Sequence, residues 1–150
     1  MAITKRNPNR IFLGGEPKTP TIVSDIAAKE AITPGMLLDL DTTTGVSRWK
    51  KAATAKAPTT TVALDMLMLN KGVDDACAIG DLIEVAELVP GQTFWGLIGS
   101  GANIVIGDKL ENAGNGKLRA WTDAARAFRA LTTVNNSAGP SDARIIVEVL

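Results

Sequence analysis

The sequence predicts an all-β protein, a compact barrel or sandwich over residues 31–150 preceded by an extended N-terminal arm over residues 1–30. Three observations predict it. A glycine turn leading straight into a short strand recurs as Thr33-Pro34-Gly35-Met36, Ile79-Gly80-Asp81-Leu82, Val89-Pro90-Gly91-Gln92 and Ile106-Gly107-Asp108-Lys109. Glycine supplies the positive φ a tight turn needs and a preceding proline pre-sets the first torsion, so each copy reverses the chain. The runs between turns are short and mostly alternate apolar with polar residues, the period of a strand. Finally, 150 residues at 45% hydrophobic content bury roughly 70% of the unfolded surface, enough for one core.

Residues 1–21 carry Lys5, Arg6, Arg10 and Lys18 against the single acid Glu16, and Pro8, Gly14, Gly15, Pro17 and Pro20 interrupt regular structure. This composition reads as an extended basic arm. Within it the apolar cluster Ile11-Phe12-Leu13, flanked by Arg10, is costly to leave in water. It either tucks onto its own barrel or docks on a neighbouring subunit. On the second reading Arg6, Arg10, Ile11, Phe12 and Leu13 are the protein-interface residues, and removal of residues 1–20 leaves the isolated domain folded.

Further along, the pattern predicts strands near residues 21–24, 36–39, 46–50, 61–69, 82–88, 93–98, 103–106, 117–121, 128–134 and 145–150. In Leu82-Ile83-Glu84-Val85-Ala86-Glu87-Leu88 neither face is cleanly polar, as for a strand covered on both sides or lying at a subunit contact. The stretch 128–134 is expected to pair with the C-terminal strand through the Asn/Ser/Gly/Pro-rich loop 135–142. One short helix is allowed, over 23–31 or over 122–131, where Thr122-Asp123 resembles a cap before an alanine-rich run.

The residue types bear on chemistry as well. Histidine and tyrosine are absent, which removes the commonest general base and zinc ligand. Cys77 is the only cysteine; it forms no intrachain disulfide and its small, apolar neighbours favour a buried thiol. Sixteen basic and sixteen acidic residues cancel, so the whole molecule has no field suited to nucleic acid or an anionic membrane. No run approaches the 18 or more apolar residues of a membrane span, and no apolar signal core follows the first basic residues.

Short patterns that resemble catalytic motifs lack the context those motifs require. Asp41-Thr42-Thr43-Thr44-Gly45 resembles an aspartic-protease turn with the wrong spacing and no second copy. Gly99-Ser100-Gly101-Ala102-Asn103 leads into a strand, and Gly114-Asn115-Gly116-Lys117 reads as a hairpin turn. Asp39, Asp41, Asp65, Asp81, Glu84, Glu87 and Asp108 are the carboxylates a fold could bring together, although most flank turns. Trp49, Trp95 and Trp121 read as packing anchors.

In order along the chain, Ala31-Ile32-Thr33-Pro34-Gly35-Met36-Leu37-Leu38, then Ile106-Gly107-Asp108-Lys109-Leu110-Glu111 with Gly114-Asn115-Gly116-Lys117-Leu118-Arg119, then Ala143-Arg144-Ile145-Ile146-Val147-Glu148-Val149-Leu150 resemble the capsid cement, or head decoration, proteins of tailed bacteriophages. The resemblance covers about residues 32–150, and its motifs are turns and strands in sequence order. It implies a small β-rich structural protein, not an enzyme and without cofactors or metals. Its partner would be the major capsid protein, its assembly a homotrimer, and its location the outer face of the virion after synthesis in the host cytoplasm. The alternatives are a ligand-binding or hydrolytic β-barrel oligomer, or a phage fibre or tail subunit.

Overall fold

A computed structural model describes residues 10–16, 19–66, 70–125 and 127–150. The described residues contain strands and no helix. In order they are β1 (Phe12–Gly14), β2 (Thr21–Ala27), β3 (Leu38–Asp41), β4 (Arg48–Lys51), β5 (Thr61–Ala63), β6 (Leu82–Glu87) and β7 (Thr93–Ile98). They continue with β8 (Asn103–Ile104), β9 (Lys109–Asn112), β10 (Leu118–Ala120), β11 (Phe128–Ala130), β12 (Val134–Asn135) and β13 (Ala143–Val149). The all-β barrel is therefore the observed class.

The four recurring turns build this architecture. Gly35, Gly80, Gly91 and Gly107 have φ of 90°, 87°, 91° and 93°, and in each turn the amide after glycine donates to the carbonyl three residues back at 3.0–3.2 Å. Those are the marks of a type II turn. Three copies add a bond in the reverse direction: Ala78 N donates to Asp81 Oδ2, Val89 N to Gln92 Oε1 and Val105 N to Asp108 Oδ2, at 2.8, 3.0 and 2.8 Å. The Asp or Gln after glycine thus locks the turn it closes.

The barrel closes in the order β7–β10–β9–β11–β13 and back to β7. β13 runs antiparallel along β7 from Ala143 opposite Ile98 to Glu148 opposite Thr93. On its other edge β7 meets β1 at one end and, in parallel, Leu118 of β10 at the other. Alternation puts Phe94, Ile98, Leu110, Phe128, Ile145, Val147 and Val149 in the buried interior. Phe94 and Phe128 meet edge to face, with centroids 5.8 Å apart. Gly96 occupies an inward position because a Cβ there would lie 2.9 Å from Leu118 Cδ1 and 3.0 Å from Phe94 Cε2.

A second ring stands beside the barrel. Its β2–β6–β5 sheet joins the β3–β4 hairpin through the Leu37–Val62 bridge, and β4 returns to the end of β2 through the Ala28–Trp49 bridge. Its core holds Ile32, Met36, Leu38, Trp49, Cys77, Ile83 and Val85. β6 serves both cores: Ile83 and Val85 face the second, while Ala86 and the following Leu88 belong to the barrel core. Both faces are partly covered within the chain, with Leu82 at the strand's start left exposed.

Several expected boundaries move. β5 ends at Ala63, and residues 67–69 lie outside the described residues. β8 ends at Ile104 because Val105–Asp108 forms a turn, and the 128–134 stretch divides into β11 and β12. The pairing of β11 with β13 is as expected, from Phe128 opposite Val149 to Ala130 opposite Val147. Neither candidate helix forms. Residues 21–27 pair with β6 instead, and Thr122 turns toward Glu111; a single helical turn carries a nucleation cost that sheet pairing avoids.

The described part of residues 1–30 is built into the two rings. β1 lies on β7, β2 on β6, and Ile11 is fully buried in the barrel core. Burying such a side chain is worth about 2–3 kcal/mol, which explains why a stretch broken by proline and glycine is nonetheless ordered.

Candidate interaction surface

The segment expected to meet partners enters the fold at a surface pocket. Ile11 N donates to Asp65 Oδ1 at 3.0 Å, Trp95 N donates to Ile11 O at 2.8 Å, and Thr93 Oγ1 donates to Gly14 O at 3.2 Å. Ile11 therefore faces the chain's own core and is withdrawn from any interface. Phe12 and Leu13 are half-buried, Arg10 is exposed, and Arg6 lies outside the described residues.

Arg10 and Phe12 line a pocket of about 130 Å³ with Pro20, Ile22, Leu64, Asp65 and Glu84. Asp65 is almost fully buried. Its Oδ2 lies 2.9 Å from Arg10 Nε, an ion pair, but receives no hydrogen bond. Glu84 is half-buried on β6, and its carboxylate has neither a hydrogen-bond nor an ion-pair partner among the described residues. Of the carboxylates singled out in the sequence, Asp65 and Glu84 share this pocket.

The other carboxylates serve the fold. Asp41 takes a short hydrogen bond from Lys29 and bonds from Thr43 N and Oγ1 at 2.9 and 2.7 Å, which hold it well below the usual carboxylate range. The protease-like sequence is thus a self-bonded turn. Asp81 and Asp108 close glycine turns, and Asp39 sits opposite Lys50 in the β3–β4 hairpin. Gly114 and Gly116, with φ of 92° and 78°, form the β9–β10 hairpin turn, and Gly101 turns the chain into β8. Burial pushes the Cys77 thiol up from its ordinary value. Among the described residues no group of three or more His, Cys, Asp or Glu is placed to hold a metal.

Two polar centres had no clear signal in the sequence. Glu111 is fully buried on β9 and accepts from Arg119 Nε and Thr122 N, each at 2.9 Å, and from Thr122 Oγ1 at 3.0 Å. Burial raises its pKa, but the Thr122 amide, Arg119 and the Thr122 hydroxyl outweigh that and bring it down to about 2. Arg144 stacks on Trp95 with its guanidinium carbon 5.0 Å from the ring centroid. It donates to Asp74 at 2.8 Å, to Pro34 O at 3.1 Å and to Val73 O, tying two loops to β13. Trp49 is core, whereas Trp121 is partly exposed beneath Lys109.

Most exposed aliphatic side chains, Leu40 in β3 apart, lie at or next to turns and strand ends. Ile79 is 68% exposed, Leu82 61% and Ile106 61%, and Ile22 and Val105 are also open to solvent. Ile79 and Ile106 each occupy the residue before glycine in a type II turn. No family model matches the chain, and no curated protein matches it.

Proposed function

We propose that the chain is a capsid cement protein of a tailed phage, a homotrimer that binds the outer face of the head and bridges major capsid subunits. Its order of turns and strands supports this reading, and the observation that carries it is the placement of aliphatic residues on rigid turns. Ile79 and Ile106 stand on turns fixed by reciprocal bonds. Such residues add apolar contact while losing little conformational freedom on association. Glu111, Asp41 and Arg144 meanwhile have their bonding satisfied inside the chain.

The test is addition of the purified protein to phage heads lacking their decoration protein, followed by electron microscopy and a mass measurement of the free protein. Added density on the outer face, lowered in an Ile79→Ser/Ile106→Ser double variant, and a trimer mass in solution are the expected results. Unchanged heads overturn the reading. A ligand-binding barrel is the second reading, favoured by the pocket that holds Asp65 and Glu84. Retention of a small molecule by the protein without heads would favour it.

A further inference from the structure

The pocket between β1, β2 and β6 holds two carboxylates. Asp65 accepts from Ile11 N and pairs with Arg10 at 2.9 Å, whereas the Glu84 carboxylate is unpaired among the described residues. Among the described residues Arg10 is the one cation lining the pocket, against these two carboxylates, so their charges sum to net negative. Phe12, Pro20, Ile22 and Leu64 make the remaining walls apolar. A carboxylate without a partner beside apolar walls favours an occupant that supplies N–H groups.

Charge and shape narrow the occupant. An anion is repelled, and a neutral apolar group leaves the Glu84 carboxylate without a donor. A calcium ion takes 6–8 oxygen ligands, and among the described residues no group of three or more metal-binding side chains gathers. Water alone fits poorly, since a pocket of about 130 Å³ holds several molecules at roughly 30 Å³ each and four of its walls give them no partner. An aliphatic chain ending in a cation suits both parts: the stem lies against the apolar wall and the head donates to carboxylate oxygens.

We propose that this pocket receives the side chain of a lysine or arginine presented by a partner protein. Charge complementarity argues for that occupant, and the inference stands whether or not the partner is a capsid subunit. Glu84 receives the head group, Ile22 and Phe12 flank the stem, and Asp65 sets the potential at the base.

Titration of the isotope-labelled full chain by NMR tests this directly, with Nα-acetyl-lysine amide and Nα-acetyl-arginine amide as probes and uncharged Nα-acetyl-norleucine amide as the control. Saturable shifts of the Ile22 and Glu84 amides with at least one cationic probe, but not with norleucine, are expected. Glu84→Gln should weaken binding about tenfold, the loss of a hydrogen bond to a charged group. Glu87→Gln, which removes a charge from the exposed end of the same strand, should leave binding unchanged. Spectral dispersion verifies that both variants are folded. Absence of saturation, an equal response to norleucine, or equal losses in the two variants overturns the proposal.

Discussion

Replacing Glu111 with glutamine tests whether a buried carboxylate holds the Thr122–Ala124 loop against the barrel. The carboxylate accepts from Thr122 N at 2.9 Å and Ala124 N at 3.3 Å while pairing with Arg119 Nη2 at 2.8 Å. Glutamine keeps one acceptor oxygen but points an NH2 at groups that are themselves donors. Its pKa of about 2, against an ordinary 4.5, corresponds to about 3 kcal/mol of stability through linkage. Because the folded-state value is depressed, that stability is present above about pH 4.5 and is lost as pH falls toward 2. At pH 7 the variant should unfold about 3 kcal/mol more easily, a drop in melting temperature of about 6–12 °C for a chain of this size. Urea unfolding of both proteins from pH 7 to pH 2 is the assay. The gap should narrow below about pH 4.5, as the carboxylate of the unfolded chain takes up a proton while the native one stays ionised down to about pH 2. A gap that stays constant over the whole range would refute the assignment of this stability to ionised Glu111.

Ile11→Ala should cost about 2–5 kcal/mol as a core truncation, measured by denaturant unfolding; a neutral result would place the residue outside the core. Truncation of residues 1–20, which removes Ile11 from the barrel core, should therefore destabilise the domain rather than leave it intact. Gly35→Ala should cost about 2 kcal/mol or more, because φ there is +90° and the new Cβ would lie 2.5 Å from Trp95 O. Thermal unfolding of that variant at wild-type temperature would contradict the geometry. The Cys77 thiol should react with a disulfide reagent only as fast as the fold opens, with rates that rise in step with added denaturant; rapid labelling of the native protein would show an accessible thiol.

Local chemistry was legible in the sequence and remote closure was not. Gly35, Gly80, Gly91 and Gly107 announced their turns because positive φ is a property of the residue itself. The mixed faces of β6 pointed to a strand partly covered on both sides or lying at a subunit contact, and the Asn/Ser/Gly/Pro loop announced the return of β13 onto β11. Which of the two readings of Ile11-Phe12-Leu13 holds was not legible, because proline and glycine mark irregular chain, while β1 is ordered by partners such as Asp65, which lies 54 positions from Ile11. Likewise, Thr122-Asp123 has the composition of a helix cap, but the acceptor that fixes Thr122 belongs to β9 and not to the following turn. The pocket lay half in view. Glu84 was visible as an acid between apolar neighbours, but its meeting with Asp65 and Arg10 depends on how three separate segments cross.

β6 also decides how the two rings respond to damage. Because Ile83 and Val85 enter one core while Ala86 and Leu88 enter the other, separating the rings would expose apolar surface from a single strand on both sides. Each of these side chains is worth roughly 1–3 kcal/mol when buried, comparable in sum to a large part of the stability of a whole domain. The rings should consequently unfold together, with Ile11→Ala in the barrel and a Val85→Ala truncation in the second core lowering the same cooperative transition. On the proposed reading as a cement protein, this coupling has a functional consequence. The turns bearing Ile79 and Ile106 belong to different parts of the chain, and a single cooperative body holds both in fixed relation, so that contact made at one does not have to order the other.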